Sequence, residues 1–523
     1  MNIDGIVFYV CILGDYEPAT HKYIKEKAPL HFCTEYGEYL EWEGPYPEPP
    51  KKSTPAIMPI VESENLPVSV IADMFTDMRL AAIFAQQFRE EIRYWQESGK
   101  WLVFDGRRWT TDAPGGAFPF IRRMIESLHQ KATDCSDYQQ RADMRKAIMK
   151  LEDHRRQVTV LSAAQVRPEL IISAAKLDHN PMLLTCTNGS IDLQSGVLRS
   201  HRADDYMTRM VSVEYNEGKK CPKFMQFLNR IFDEDRTVVE YLQRFAGYCL
   251  TGRTDAQVLL FFYGLGCNGK SVLANVLGAL LGDYSSTAGS DLLMSRDNRS
   301  STNDIAALRG SRLVKVSEFD DSERLAEAQI KTLTGGDPVT CRFLYCENFT
   351  YVPTYKILLI GNHKPKIYGT DHGIWRRLHL LNFGVTIPEA ERNPNLQDEL
   401  LQELPGILAW AVQGCLQWQK QGLAAPDAIK AATEEYRKSE DLFQLWIDEC
   451  CTTGSQCVAA AAELLTSFIE YSKLRATSST KFGRMLADAG YLKEKTGGVI
   501  WWRGLSLPQQ DKHRHWQERD EPF

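Results

Sequence analysis

The chain has 523 residues, of which 43% are hydrophobic and 25% are charged, and its formal net charge is −7. A chain of this length is too long for one hydrophobic core, so we expect roughly two to four domains of ordinary globular composition. The acidic balance excludes a general attraction of the whole surface to nucleic acid, so any such contact must come from local basic patches.

Neither the apolar segments nor the cysteines indicate a membrane or an oxidising compartment. No segment approaches the roughly 18 consecutive apolar residues of a membrane span. No basic residue precedes the apolar run in the N-terminal segment MNIDGIVFYVCILGDYEP. The 13 cysteines include no C-x-x-C pair, which is typical of reduced thiols rather than of disulfides or a zinc site. We therefore expect a cytoplasmic protein that does not cross a membrane.

The first part of the chain divides into a small region and a larger, mostly helical one. Residues 1–60 hold the strand-like runs IVFYVCIL and LHFCTEYGEYLEW, followed by the proline-dense linker GPYPEPPKKSTPAIMP. Residues 70–215 are predicted to be a mixed, mostly helical domain, because SVIADMFTDMRLAAIFAQQFREEIRYWQ has apolar residues at helical spacing. Within it, KWLVFDGRRWTTD predicts a hairpin that turns at Asp105 and Gly106, and TCTNGSIDLQSGVLRSH predicts a second hairpin.

The second part of the chain, residues 216–390, is predicted to be an α/β domain. Residues 222–252 have a helical pattern, and from residue 258 short apolar strands alternate with helices: VLLFFYG, RLVKVSEF, TYKILLIGN and RRLHLLNF. Residues 391–440 are predicted to be a helical segment. Residues 441–510 predict three helices and the hairpin LKEKTGGVIWWRG, before a charged tail at 511–523.

A glycine-rich turn lies between the first strand of this α/β domain and the next helix. GLGCNGKS, residues 264–271, fits the phosphate-binding pattern G-x-x-x-x-G-K-[ST]. Glycines let backbone N–H groups point inward at an anion, and the start of a helix adds its positive end. A lysine there neutralises the β- and γ-phosphates, and a Ser hydroxyl ligates Mg²⁺. We therefore predict that ATP and Mg²⁺ bind at Gly264, Gly266, Cys267, Asn268, Gly269, Lys270, Ser271 and Val272.

Three later strands carry polar residues that suit nucleotide hydrolysis. Glu318 ends the strand RLVKVSEF and is predicted to hold Mg²⁺ or to orient the attacking water, while Asp320 is either a solvated loop residue or a partner in that role. Asn362 ends KILLIGN and is predicted to sense the γ-phosphate, although asparagine is also a common turn residue. Arg376 and Arg377 open the next strand, and they are either an arginine finger for a neighbouring subunit's nucleotide or a surface pair.

The order of these motifs resembles the phage and plasmid primase–helicase family, whose members are superfamily 3 helicases with an AAA+ type ring ATPase. The resemblance rests on GLGCNGKS, RLVKVSEF, IKTLTGGDPVTCRFLYCENFTYVPTYKILLIGNHKPKI and GTDHGIWRRLHLLNF in that order. Upstream, LLTCTNGSIDLQSGVLRSH and FLNRIFDEDRTVVEYLQRFAGYCLTGRT resemble the poxvirus-type N-terminal helicase domain, and KWLVFDGRRW resembles its Trp-rich hairpin. The resemblance covers about residues 75–390.

The resemblance implies a fold and a set of catalytic residues. The implied fold is α/β: an AAA+ type P-loop ATPase core, a mostly helical N-terminal domain and a C-terminal winged-helix domain. The second motif here has a single acid on its strand, where many superfamily 3 members have a pair, so the division of labour between Glu318 and Asp320 stays open. The implied catalytic residues are Lys270, Glu318, Asn362, Arg376 as the finger and Arg377 beside it, with Mg²⁺ held by Ser271 and Glu318.

The resemblance also implies where DNA binds. VTCRFLY and NFTYVPTYK predict a hairpin, which in the family projects into the ring pore, so Arg342, Tyr345 and Lys356 are candidate DNA contacts unless they pack against the domain. In the C-terminal winged-helix pattern, the second helix would present Lys481 and Arg484 to phosphates, although such folds also bind proteins.

Together these features predict an ATP-dependent DNA helicase or translocase that unwinds DNA in the replication of a phage, prophage or plasmid-like element. We expect a homo-oligomer, a hexameric ring, that acts on single-stranded and forked DNA in the cytoplasm of a bacterial host cell. About 70 residues precede the helicase region and they contain no D-x-D pair, so we expect no primase activity and a separate primase or replication partner.

Two other classes of protein fit part of this pattern. A P-loop kinase or small-molecule phosphotransferase would need an acceptor pocket and a lid, and it would not explain the hairpin or the C-terminal region. An origin-binding initiator or scaffold, with an ATPase that drives assembly and little unwinding, would share most of the motifs. Unwinding of a DNA fork would separate it from a helicase.

Overall fold

A computed structural model describes residues 75–508, apart from 112, 296–301, 318, 320–322, 368–371 and 475–476, and five short strands before residue 42. The chain forms two compact units, Met1–Pro67 and Val68–Phe523. In the first unit, β1 pairs with β2, and β3, β4 and β5 form an antiparallel sheet. The predicted linker and charged tail lie outside the described residues. The strands are β1 (Asn2–Ile3), β2 (Ile6–Val7), β3 (Tyr9–Val10), β4 (His31–Cys33) and β5 (Tyr39–Glu41).

The second unit begins with four helices around one core and a four-stranded sheet in the order β8-β7-β6-β9. The predicted hairpin forms between β7 and β8, where Asp105 Oδ1 accepts the amides of Arg107 and Arg108 at 2.8 Å. The elements are α1 (Asp77–Phe88), β6 (Ile92–Trp95), β7 (Lys100–Phe104), β8 (Trp109–Thr110), α2 (Phe118–Asp134), α3 (Tyr138–Leu151), α4 (His154–Ala164) and β9 (Ile171–Ile172).

The predicted continuation of the first helix through IRYW is wrong. The helix α1 ends at Phe88, and Ile92–Trp95 is the strand β6, which pairs with β7 and with β9. The run is rich in β-branched and aromatic residues, which suit a half-buried pleated surface. Pairing with two neighbouring strands therefore overrides the helical spacing.

The chain then forms a small antiparallel sheet and two helices. The segment predicted as one hairpin at 185–201 is a three-stranded sheet in the order β10-β11-β12. Asp235 begins the second helix, because its side chain accepts the amides of Thr237 and Val238. The elements are β10 (Leu183–Cys186), β11 (Gly189–Asp192), β12 (Val197–Arg199), α5 (Pro222–Ile231) and α6 (Arg236–Leu250).

A five-stranded sheet, in the order β14-β15-β18-β13-β19 with all neighbours parallel, lies at the centre of the second unit. It confirms the predicted α/β class and shows that the sheet is parallel, although the sequence did not indicate β14. The elements are β13 (Leu259–Tyr263), α7 (Lys270–Leu281), β14 (Ser285–Ala288), α8 (Thr302–Ala307), β15 (Leu313–Val316), α9 (Glu327–Gly335), β18 (Lys356–Gly361), α10 (His372–Trp375) and β19 (Leu378–Asn382).

The central sheet is buried on both faces. Along β13, Leu260 and Phe262 belong to the core shared with α6 and α7, while Leu259 and Phe261 belong to the core on the other face. Two buried faces explain why these strands are continuous apolar runs in the sequence. Because the strands are parallel, they share a carboxyl edge, where they end, and an amino edge, where they begin.

A short hairpin inserted between α9 and β18 projects from this core. Its strands are β16 (Val339–Cys341) and β17 (Phe349–Tyr351), and residues 342–348 form its tip. The hairpin was predicted, but its strands are shorter than expected. The segment predicted to continue the second strand instead turns and enters β18 at Lys356.

Helices and a second small sheet complete the chain. Helix α12 packs directly on α6, because Gly247 and Gly414 let the two backbones touch: a Cβ on Gly414 would lie 1.9 Å from the Gln243 carbonyl oxygen. The last six elements share a core of their own around a sheet in the order β20-β22-β21. The elements are α11 (Leu396–Leu401), α12 (Leu404–Gln421), α13 (Asp427–Glu440), α14 (Leu442–Cys450), β20 (Thr452–Ala460), α15 (Ala461–Ser472), α16 (Ser479–Asp488), β21 (Leu492–Thr496) and β22 (Val499–Ser506).

The predicted order of helices and a final hairpin at 441–510 is present, but the strand β20 was not predicted.

Across the described ranges of the chain, no helix combines the length and the apolar character that crossing a membrane requires.

Candidate nucleotide site and its surroundings

The glycine-rich loop, residues 264–269, joins the end of β13 to the start of α7 at the carboxyl edge of the central sheet. Cys267 and Gly269 have φ angles of 48° and 85°, so the loop curls tightly before the helix. Only glycine fits at 269, because a Cβ there would lie 2.9 Å from Ile231 Cγ2 and 3.0 Å from the Phe227 ring. The loop thus has the strand–loop–helix setting that the sequence pattern requires.

Lys270, the first residue of α7, is a buried cation with neutral partners. It is 5% exposed, and its Nζ donates to the Gly264 carbonyl at 2.5 Å and to Asn268 Oδ1 at 3.0 Å. Burial lowers the pKa of its ammonium. No carboxylate within the described ranges pairs with it. A buried ammonium whose described partners are neutral is costly, so this part of the loop favours a nearby negative charge.

The rest of the glycine-rich loop is anchored to the segment that follows β19. The buried Asn268 donates from Nδ2 to the Phe383 carbonyl at 3.1 Å, and the Cys267 carbonyl accepts the Ile387 amide at 3.0 Å. Ser271 is exposed in the first turn of α7, whose free amides favour negative charge. Val272 is half-buried and packs against the core.

The predicted sensor lies next to this loop. In the parallel register of β13 and β18, Tyr263 is opposite Gly361, so Asn362 follows at the carboxyl edge beside Gly264, and it is exposed. The structure therefore brings Asn362 and the glycine-rich loop to the same edge. Glu318 and Asp320 lie outside the described residues.

The two adjacent arginines at the amino edge have different environments. Arg376 is exposed, and its Nη2 donates to Gln257 Oε1 at 2.8 Å. Arg377 is 8% exposed and donates from Nε to Thr334 Oγ1 at 3.1 Å and from Nη1 to the Gly373 carbonyl at 2.7 Å. The structure corrects the predicted catalytic role of Arg377, because its guanidinium is committed to the core. Arg376 and the glycine-rich loop lie at opposite edges, so one chain does not bring them together.

Sequence reasoning missed two cations near Arg376. Lys430 and Arg437 on α13 line, together with Arg376, a cavity of about 230 Å³. They are seven residues apart on one helix, which places them on the same face. That spacing is the signal that could have identified them in the sequence.

The hairpin tip is exposed and mostly apolar. Tyr345 is fully exposed, with a φ of 64°, and Phe343 and Leu344 beside it are exposed too. Arg342 is also exposed. The tip thus offers three apolar side chains, the cation Arg342 and the exposed acid Glu347 for contact with another molecule.

The structure corrects the prediction that Lys356 contacts DNA. It is 2% exposed at the start of β18, and its Nζ donates to the carbonyls of Thr251, Arg253 and Thr354 and lies 4.8 Å from the centre of the Tyr248 ring. Burial lowers its pKa to about 7. An ammonium enclosed in this way cannot reach a phosphate of bound DNA.

The last two DNA candidates are accessible. Lys481 and Arg484 are exposed on α16, which begins where the Ser478 side chain accepts the Lys481 amide at 3.2 Å.

As for metal ligands, the described part of the chain contains no cluster of three or more His, Cys, Asp or Glu side chains that could hold a metal ion.

Two family models match separate segments of the chain. Residues 81–233 match the "D5 N terminal like" model, and residues 262–377 match a family of unknown function, DUF5906. The first segment runs from α1 to just before α6, and the second runs from β13 to the start of β19.

Several viral proteins are similar over about half of this chain. A mimivirus protein named as a helicase is 28% identical over 52% of this chain and 31% of its own length. A protein of Invertebrate iridescent virus 3, also named as a helicase, is 24% identical over 49% and 28%. A protein of African swine fever virus named as a primase is 26% identical over 56% and 34%. The chain spans about a third of the length of these relatives.

One solved structure, the apo C-terminal region of NrS-1, aligns with 82% of this chain and 99% of its own, at 13% identity and a TM-score of 0.44. The sequence matches support a likeness to D5-like proteins of the primase–helicase class.

Proposed function

We propose that the chain is an ATP-dependent DNA helicase or translocase of a superfamily 3 type ring, serving the replication of a virus, phage or plasmid-like element. The observation that carries the proposal is Lys270, a buried cation with neutral partners in a curled loop at a helix start. The helicase and primase names of the viral relatives support the replication context.

The glycine-rich loop fits a nucleoside triphosphate. Its backbone amides and the start of α7 would hold the phosphates, and Lys270 would exchange its two neutral acceptors for phosphate oxygens. The exposed Ser271 hydroxyl would be one ligand of Mg²⁺, which usually keeps several waters and takes few protein ligands. Bound ATP supplies the phosphoanhydride bond whose hydrolysis releases free energy. Glu318 is proposed to orient the attacking water, and Asn362 to contact the γ-phosphate from the neighbouring strand.

A head-to-tail assembly is supported by the two edges of the central sheet. The glycine-rich loop lies at the carboxyl edge and the exposed Arg376 at the amino edge. If Arg376 is the finger, it must act on a neighbouring subunit's nucleotide, which requires a heterologous interface and, on closure, a ring. We propose a hexamer with an AAA+ type core.

DNA is proposed to bind the hairpin tip and the C-terminal module. Arg342 can pair with phosphate, and the fully exposed Tyr345 can stack on a base. The C-terminal helices and hairpin support a winged-helix interpretation, with Lys481 and Arg484 facing phosphates.

The first test is steady-state ATP hydrolysis with and without single-stranded DNA, on the unmodified chain and on Lys270→Ala. We expect stimulation by DNA, and at least a hundredfold loss of hydrolysis in the variant, an estimate of about 3 kcal/mol for a lost phosphate contact. Hydrolysis that DNA does not change, or that survives in Lys270→Ala, would contradict the motor proposal.

The second candidate function is an origin-binding initiator whose ATPase drives assembly. It is favoured by the separate core of the C-terminal module, because a module with its own core would be able to bind duplex DNA independently of the central sheet. Unwinding of a synthetic fork by the assembled protein decides between the two, because an initiator of this kind would bind the fork and leave it paired.

A further inference from the structure

A cleft of about 1400 Å³ runs along the amino edge of the central sheet. On one side it is bordered by the β6–β8 hairpins, with Trp95 and Trp109, and on the other by the loop at 252–255. Residues 349–354, which follow the hairpin tip, also line it. We call it the Arg309 cleft, after the arginine between its two sides.

Arg309 joins the two sides through aromatic rings. Its guanidinium carbon lies 5.7 Å from the centre of the Trp95 ring, in β6, and 5.4 Å from the centre of the Phe349 ring, in β17. In the part of the chain that the structure describes, no carboxylate pairs with it. Proteins that bind single-stranded nucleic acid combine cations, which contact phosphates, with aromatic rings, on which bases stack. Arg309 and its two flanking rings form such a combination.

The other charges of the cleft leave it weakly positive. Five arginines and four acidic residues line it, an excess of one positive charge in a chain whose net charge is −7. Two ion pairs, Arg108–Asp283 and Arg253–Asp255, account for four of these side chains. The remaining cations, besides Arg309, are Arg209 and Arg312, which donate to backbone carbonyls.

Two donors in the cleft are shielded from water without a partner. Trp95 Nε1 and Arg108 Nε are buried atoms that make no hydrogen bond. A buried donor without an acceptor is costly, so these two side chains would be stabilised if a small shift let an oxygen acceptor of a ligand reach them. Phosphates and base carbonyls are such acceptors.

We infer that the Arg309 cleft binds single-stranded DNA and continues the path that begins at the hairpin tip. This inference rests on the proposed function, and it extends the DNA contact from the hairpin tip to the β6–β8 hairpins. The path is continuous in the chain, because the tip, residues 342–348, leads directly into the cleft-lining residues 349–354. Arg309 pairs with phosphate, and Trp95 and Phe349 offer faces for stacking.

The direct test is photo-crosslinking of the full chain to an oligothymidylate that contains 5-iododeoxyuridine, followed by mass spectrometry of the peptides. We expect crosslinks in the tip peptide and also in peptides that contain Trp95 or Phe349. Crosslinks in the tip or the C-terminal module, with none on Trp95 or Phe349, would overturn the cleft and leave the proposed function standing. A chain that binds no oligonucleotide would overturn both.

The second arm measures oligothymidylate affinity by fluorescence anisotropy for Arg309→Ala and for Arg145→Ala. Arg145 is an exposed arginine on α3, so its substitution removes the same charge away from the cleft. We expect about a tenfold loss for Arg309→Ala, the order of one lost phosphate contact, and less than a twofold change for Arg145→Ala. Equal affinities of the two variants would contradict the inference. If Arg309→Ala does not fold, the crosslinks on the unmodified chain decide.

Discussion

Two buried lysines at opposite edges of the same sheet have different roles because their partners differ. Lys270 has two neutral acceptors in a loop that suits an anion. Lys356 lies beside the end of α6, where it donates to the Thr251 carbonyl while Arg312 donates to that of Leu250. These carbonyls are among the last of the helix, which carry partial negative charge. Lys356 is therefore a structural cation that closes a helix end.

The depressed pKa of Lys356 predicts a measurable pH dependence. Its pKa is about 7 in the folded chain, against about 10.4 unfolded. Between these values the unfolded chain binds more protons, so this residue makes the free energy of unfolding rise with pH. Its contribution is unfavourable below pH 7 and is relieved as the pH increases. In Lys356→Met this rise should be absent. Between pH 7 and pH 9 the free energy of unfolding of the unmodified chain should therefore increase by about 2 to 3 kcal/mol relative to that of the variant.

The measurement is urea unfolding of both chains at pH 7, 8 and 9 under reducing conditions. Cys249 and Cys415 adjoin Lys356, and burial raises the pKa of each to about 12, so both stay protonated in this window. The variant also leaves carbonyls without a donor, a cost that does not change with pH. Parallel stability curves for the two chains would mean that Lys356 does not titrate in the folded state.

At the level of single residues, the sequence indicated which residue types the proposed site needs. It did not indicate which of those side chains are buried. Lys270 and Asn362 could be predicted because strand and loop patterns fix them at one edge of a parallel sheet. Arg376 and Arg377 could not be told apart, because the sequence does not show which of two adjacent side chains at a strand start points into the core. Lys356 resembled a hairpin cation because the sequence does not reveal where β17 ends and β18 begins.

Among the elements, those with strong local patterns could be predicted and those that depend on distant partners could not. Three patterns follow one another in the sequence: the apolar run of β13, the glycine-rich loop and the apolar face of α7. Each of them supports the prediction of the other two. In contrast, β14 is the polar run SSTA at the sheet edge, and β6 exists because β7 and β9 pair with it. Strand pairing is non-local, so a short or polar strand carries little signal of its own.

The glycine-rich loop predicts a strong effect of Gly269→Ala. The substitution places a Cβ at a φ of 85° and within 3.0 Å of Ile231 and Phe227. We expect a loss of about 2 to 4 kcal/mol in the free energy of unfolding, the sum of backbone strain and overpacking, together with weaker ATP binding.

The matched control is Gly336→Ala, which has a φ of 82° and a ψ of 4°, close to the 85° and −2° of Gly269, and whose new Cβ would meet only Thr254 Oγ1, at an ordinary contact distance of 3.5 Å. It carries the strain without the clash, so it should cost about 1 kcal/mol and leave ATP binding unchanged. Thermal unfolding and nucleotide titration of both variants check this pair. Equal losses would mean that α5 does not press against the loop.

For the whole molecule, the separation of the glycine-rich loop from Arg376 predicts complementation between two inactive variants. Lys270→Ala lacks the loop cation and Arg376→Ala lacks the finger, so each alone should form an inactive ring. In an equal mixture of subunits, about a quarter of the interfaces combine an intact loop with an intact finger. We therefore expect the mixture to recover ATP hydrolysis that neither variant has.

The experiment mixes the two variants under conditions that allow subunits to exchange, and it follows phosphate release. Arg376 is exposed and, within the part of the chain that the structure describes, its side chain donates one hydrogen bond, to Gln257, so its removal should leave the subunit folded. A mixture as inactive as its components would mean that both groups serve the same subunit, which would contradict the head-to-tail arrangement.

The position of loop and finger at opposite edges of one sheet also has a genetic consequence. On the proposed assembly, each subunit completes its neighbour's catalytic centre, so a defective copy damages a site that it does not itself contain. An allele encoding Arg376→Ala, expressed beside the unmodified gene, should therefore be dominant rather than recessive. ATP hydrolysis would fall only in proportion to the share of defective copies, whereas unwinding, in which neighbouring subunits of the proposed ring must act in turn, would decline more steeply.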